Sequence, residues 1–440
     1  MNKQLIISKS IGLVTAIMVG ACGLTAFGQT VAYTDAHLMT MGPLGQIENG
    51  TLLVRDGKIV DIGKDIQIPG DARVVSLQGK TVMPGIIDPY YVFKKTQSAN
   101  SQQTFTFRGR VFRRPGATFS VGSFNNVAEN FYPYDVDFMP ALRSGITTAQ
   151  LVTDGRGLSA IAQPVPDPTP EMLLADTDGF LFAKVTNQTS ALDTIRKNLA
   201  GESSSSSRGK SMTRAEMIAR MRAARRGRSG TPPPTSEPAK KPEEKKAAPT
   251  KQETDPIKLM WKAVREGKKP LVVNANNAAT VAHLNKLLEK SQDAKIHLVA
   301  TGPNLFQSLD EIGNSKNITL VMQPTIDTVP YSSQLMNVPQ MAHSKKIPFA
   351  ISLSLNNSQM ISSQDDPLFP IAMLVKSGLP RDTALQALTT RPAKMLGVDK
   401  TLGSLEKDKV ANFLVFHGDP LETGSRLKQV FLMGKSVYER

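Results

Sequence analysis

Between residues 81 and 353, short apolar runs rich in β-formers recur at 81–87, 145–151, 180–185, 271–274, 296–300, 318–322 and 349–353. Each ends on polar or small residues, and helical stretches fall between them. Val281, Leu284, Leu287 and Leu288 stand at helical spacing and predict a helix over 278–290. Strands separated by helix-length connections cannot be hairpin neighbours, so the pattern predicts a parallel sheet. The number of units suits a closed (β/α)8 TIM-like barrel over residues 85–390 better than an open sheet.

The two ends of the chain read differently. Residues 29–84 carry β-prone runs at 31–33, 50–54 and 58–63, with Asp56-Gly57 as a hairpin turn between two of them. Residues 391–440 repeat the grammar at 412–416 and 430–435. Neither piece is long enough for a robust core alone. The two are therefore expected to pair into one composite β-sandwich, giving an α/β protein of two parts. A chain of 440 residues with 40% hydrophobic and 21% charged residues can fill both cores.

Two segments fall outside this plan. Residues 1–28 place Lys3 and Lys9 before an apolar run at 11–20, the pattern of an export signal. Ala26-Phe27-Gly28 fits a small-x-small cleavage site, while Val19-Gly20-Ala21-Cys22 resembles a lipobox and makes Cys22 a lipidation candidate. The run is short for a membrane span. The expected location is the periplasm, free or lipid-anchored. Residues 201–255 are rich in Ser, Pro, Lys and Arg, cannot bury apolar surface, and are expected to be a disordered insert in the barrel. This insert holds a large share of the net charge of +15. Export and the lack of aromatic residues among its cations argue against nucleic acid as a partner and leave an anionic envelope surface.

Six motifs carry a resemblance. Gly79-Lys80-Thr81-Val82-Met83-Pro84-Gly85-Ile86-Ile87-Asp88 is similar to the first-strand entry of the amidohydrolase superfamily, in its exported, imidazolonepropionase-like branch. Asp56 to Gly63 before it, Ser144-Gly145-Ile146-Thr147-Thr148, and Ala384 to Ala393 follow the family's order. So do Gly403 to Asn412 and Gly418-Asp419-Pro420-Leu421. The resemblance implies a TIM-like barrel with a composite sandwich, and hydrolysis of C–N bonds by one or two divalent metals at the C-terminal mouth. There a metal lowers the pKa of water, imidazoles hold it and an aspartate takes the proton.

The residues at the implied ligand positions break the pattern. Where the family has His-x-His, this chain has Tyr90 and Val92; the mid-barrel histidines correspond to Asn274 and Asn276, and the next to Ala300. No acid stands between Ser352 and Asn357, where the late aspartate is implied, and Asn412 replaces a C-terminal Asp. A neutral amide is a poor zinc ligand. The five histidines (His37, His283, His297, His343, His417) lie away from these positions. Lys184 reads as an ion-paired or snorkelling lysine, Asp365-Asp366 as a helix cap, and Tyr90 and Tyr91 as packing residues. The single cysteine lies in the leader, so no thiol nucleophile or intrachain disulfide is available.

The expectation is an exported pseudoenzyme with no cofactor, serving as a ligand-binding protein or as a partner subunit in a homo-oligomer or with an active relative. The alternatives are an active hydrolase of non-peptide C–N bonds, using carboxylates such as Asp88 and a divalent metal such as zinc, and an envelope protein working through the insert.

Overall fold

The computed structural model describes residues 29–92, 104–107, 110–113, 124–131, 136–166, 172, 179–185, 189–201, 256–301, 305–329, 331–356, 366–422 and 424–440. The leader with Cys22, Asp365 and the insert beyond Gly201 lie outside these residues.

Five strands, β1 (Val31–Met39), β2 (Gln46–Arg55), β3 (Lys58–Gly63), β4 (Arg73–Ser76) and β5 (Thr81–Pro84), come first among the described residues. β2 and β3 form the hairpin expected at Asp56-Gly57, where both residues take positive φ (52° and 76°). This is the backbone a two-residue turn needs to follow strand twist. The last three strands, β20 (Phe413–Phe416), β21 (Leu427–Leu432) and β22 (Lys435–Glu439), enter the same sheet. Its order is β22-β21-β20-β5-β1-β2-β3, with β4 beside β1. The sheet curls over on itself, so that the Ala411 N–H donates to the Gly57 carbonyl and the Tyr33 hydroxyl to that of Gly434. Tyr33, Phe413 and Phe431 pack as an aromatic cluster inside the fold.

The barrel begins with β6 (Ile86–Val92). A short hairpin follows, β7 (Thr104–Phe107) with β8 (Arg110–Arg113), then β9 (Phe124–Asn126). β10 (Ile146–Val152) lies parallel to β6. The next strand departs from the all-parallel expectation. Residues 156–162 form β11 (Arg156–Leu158) and β12 (Ala160–Ala162), hinged at Ser159, and run antiparallel to both barrel neighbours. The physical reason is the connection: only three residues separate β10 from β11, enough for a reversal but too few for a crossover helix. β13 (Leu181–Val185), β14 (Leu271–Ala275), β15 (Ile296–Ala300), β16 (Ile318–Met322) and β19 (Phe349–Ile351) then continue in parallel. A small hairpin, β17 (Asp327–Thr328) with β18 (Leu335–Met336), interrupts before β19. The circle closes through the 387–388 backbone: Ile351 N–H donates to Ala387 O and Ile87 N–H to Leu388 O, each at 2.9 Å.

Helices cover the outside of the parallel strands. Ala278–Glu289 buries Val281, Leu284 and Leu288, as their spacing predicted, and Asn277 caps it by accepting from the Thr280 N–H at 2.8 Å. No helix among the described residues is long and apolar enough to cross a membrane.

Candidate functional site at the mouth of the barrel

The strand ends of β6, β14, β15 and β19 converge at one end of the barrel. Asp88, fully buried in β6, is the anchor there. Its carboxylate accepts from the Tyr90 N–H (3.0 Å), the Ser352 hydroxyl (2.6 Å) and the Ser354 N–H (2.9 Å). Ser354 Oγ also donates to the Tyr90 carbonyl at 2.8 Å. Serines just beyond β19 thus tie it to β6. Burial pushes the Asp88 carboxyl above the usual carboxylate range, opposed by the hydrogen bonds from Ser352, Tyr90 and Ser354. With both oxygens occupied, Asp88 serves the barrel seam and is not presented as the free catalytic carboxylate that one alternative required.

Tyr90 is buried, and its hydroxyl accepts from Asn274 Nδ2 at 3.1 Å. Asn274 Oδ1 accepts in turn from Thr301 Oγ1 at 3.2 Å. A neutral Tyr–Asn–Thr chain therefore spans β6, β14 and the end of β15. Burial, with a smaller contribution from the Asp154 carboxylate, pushes the Tyr90 phenol up to about 12. Tyr90 is thus more than the packing residue expected: its hydroxyl is the meeting point of the network. Tyr91 points elsewhere and packs on Phe138, ring centroids 6.1 Å apart.

Three other positions fall outside the network. Ala300 is buried, but Asn274 pairs with Val299 across β14 and β15, so residues 299 and 301 share its face and Ala300 takes the other. The inward position is Thr301; a shift of one residue reverses the face of a strand. Asn276 has left the strand, is exposed, and accepts from Asn277 Nδ2 at 3.1 Å. Val92 stands 40% exposed at the rim. Lys184, the register partner of Asn274, reaches over the mouth to Asp154 at 2.7 Å, the ion pair expected of it.

A divalent metal of the kind the family uses does not fit these donors. Among the described residues no three His, Cys, Asp or Glu side chains come together in a metal-binding group. The mouth presents a neutral phenol, a neutral amide and a hydroxyl, and its buried carboxylate is already committed to three donors. His37 pairs with Glu48 at 2.6 Å in the curled sheet, and His283 and His343 lie on outer helices. His297 shares the face of Val299 and Thr301, opposite to Ala300, and lies near the far end of the strand from the mouth. Asn412 has a structural task, its Oδ1 accepting from the Met433 N–H at 2.9 Å. The Asp366 carboxylate meets the Leu368 and Phe369 N–H groups ahead of the helix Phe369–Lys376, but the cap position itself is Leu368, which takes no side-chain cap bond, in place of the expected Asp365-Asp366 cap.

Sequence reading missed Thr301, Asp154 and the grip of Ser352 and Ser354 on Asp88. Counting alternate residues outward from Asn274 and its strand partner would have found Thr301. The other contacts join positions 30 to 266 residues apart and leave no local pattern.

A barrel entered from a composite sheet, with its site residues at the strand ends, is the architecture of one group of solved proteins. An amidohydrolase from Thermotoga maritima MSB8 superposes with a TM-score of 0.66 at 18% identity, over 93% of this chain and 100% of that one. Residues 272–437 match the model of the amidohydrolase family. An imidazolonepropionase of Geobacillus sp. (strain WCH70) is 34% identical over 79 residues, 16% of this chain and 19% of that protein. One from Vibrio cholerae serotype O1 is 44% identical over 59 residues, 12% of this chain and 15% of that protein. The chain thus spans about a fifth or less of the length of these relatives. The C-terminal part of the chain is thus similar to the amidohydrolase family in sequence, and the whole chain shares the fold of that solved amidohydrolase.

Proposed function

We propose that this chain is a superfamily member that has kept the barrel and given up metal-dependent hydrolysis, using the mouth to hold a neutral polar ligand. The observation that carries this reading is the Tyr90–Asn274–Thr301 hydrogen-bond chain, of which Tyr90 and Asn274 stand at positions where the resemblance implies metal ligands. It offers amide and hydroxyl groups suited to an amide or carbonyl ligand, and the one exposed carboxylate beside it, Asp154, is paired with Lys184. The leader pattern favours work in the periplasm, alone, as a homo-oligomer or beside an active relative, with the insert facing an anionic envelope surface.

The test is metal content of mature protein purified without chelators, followed by thermal shifts with cyclic and acylated amides. Less than about a tenth of an equivalent of zinc, manganese, iron and cobalt, with no stabilisation on adding them, is expected. Near one equivalent, lost with EDTA together with stability, would reinstate the hydrolase. An amide that raises the melting temperature of the native chain but not of Asn274→Ala supports the ligand site; no shift across the series refutes it. Tyr90→Phe, which strands the Asn274 amide donor, is expected to cost about 1–2 kcal/mol in urea unfolding.

A further inference from the structure

The end of the barrel opposite the mouth holds a cavity of about 880 Å³, walled by the starts of the strands and the ends of two outer helices. Six cations line it, Lys268, Lys269, Lys295, Lys346, Arg391 and Lys394, and no Asp or Glu does. Glu266 pairs with Lys268 at 2.7 Å. Lys295, Lys346 and Lys394 make no ion pair within 4 Å among the described residues.

The apolar part of the wall has equal definition. The buried His297 ring meets the Phe180 ring edge-on at 6.0 Å, and the Arg391 guanidinium lies 4.9 Å over the Phe349 ring. Burial, helped by Lys295, drives the His297 pKa down to about 4, so the imidazole is neutral and adds a polar group without charge. No described residue is hydrogen-bonded to its ring nitrogens.

Helix dipoles explain part of the charge: Lys394 is in the last turn of Thr390–Leu396, and Lys346 follows Val338–Ser344. They do not explain Lys295, which precedes a strand, or Arg391, in the first turn of its helix. Nor do they explain why the cations ring a cavity with an aromatic wall.

We propose that this cavity binds a small organic phosphate, its dianion among Lys295, Lys346 and Lys394 and its apolar body on the Phe180 side of the wall. The site lies at the other end of the barrel from the mouth, so its fate is independent of the function proposed there.

Phenyl phosphate is the probe, titrated calorimetrically into the mature chain, with inorganic phosphate and benzyl alcohol as its separate halves. One-site binding at least about tenfold tighter than to inorganic phosphate is expected, weakening as salt rises. Lys295→Gln/Lys394→Gln should weaken it a further tenfold or more with the melting temperature retained, because both side chains are exposed. Lys64→Gln/Lys435→Gln, an equal charge change at two exposed positions of the β-sheet domain, should leave binding unchanged. The proposal is overturned by no saturable binding up to about 10 mM, by inorganic phosphate binding as tightly, or by equal affinity in the double variant.

Discussion

Asp88 and His297 are both buried, and the protein treats them in opposite ways. Asp88 is surrounded by donors that hold two barrel strands together, whereas His297 is kept neutral beside an aromatic edge. The second arrangement has a pH consequence. A histidine whose folded pKa lies near 4, below its ordinary 6.5, adds stability fully above pH 6.5. That stability drains away as pH falls, because the unfolded chain takes up the proton first. Between pH 7 and pH 4 the native protein should lose about 3 kcal/mol more than His297→Gln, read from urea melts at each pH. Parallel pH profiles for the two proteins would contradict the burial of a neutral imidazole.

At the scale of elements, the reversed third strand is the departure from the parallel sheet expected from the strand–helix rhythm, and its hinge is specific. Ser159 Oγ accepts from the Phe180 N–H and from Gln150 Nε2, each at 2.9 Å, while its own N–H donates to the Phe180 carbonyl. The carbonyl of Ser159 comes so close to Gly179 that a Cβ there would lie 1.8 Å from it. Backbone cannot yield as a side-chain tip can. Gly179→Ala is therefore expected to cost more than about 3 kcal/mol. Gly70→Ala, with open space around it, should stay within about 1 kcal/mol by the same urea measurement. Equal costs would mean that the 156–162 strand does not pass where described.

Over the whole molecule, β20 is the element shared between the two parts. Phe413 and Val415 belong to the core of the curled sheet, and Leu414 and Phe416 to the core of the barrel. Alternation along one strand thus couples both domains. Deleting residues 412–440 removes these four side chains from the two cores, where burial of each is worth about 1.5–3 kcal/mol, against a total stability of about 5–15 kcal/mol. The full chain should melt in one cooperative calorimetric transition and the truncated chain in none. A truncated barrel melting within about 5 °C of the parent would show the domains to be independent.

Much of this was legible in the residues. The β-α rhythm of the middle, the paired β-rich ends, the Asp56-Gly57 turn and the helix over Val281, Leu284 and Leu288 follow from local periodicity and turn chemistry. So did the residue types at the mouth: Tyr90 and Asn274 stand where histidines were implied, and a phenol and an amide are weak metal ligands whatever surrounds them. Tertiary structure alone decided that Thr301 and not Ala300 faces Asn274, that Ser352 and Ser354 consume Asp88, and that the cations of separate strands and helices ring one cavity at the far end. The physical reason is that side-chain facing and through-space pairing depend on strand register. Register is set by contacts among residues hundreds of positions apart, which no local pattern encodes.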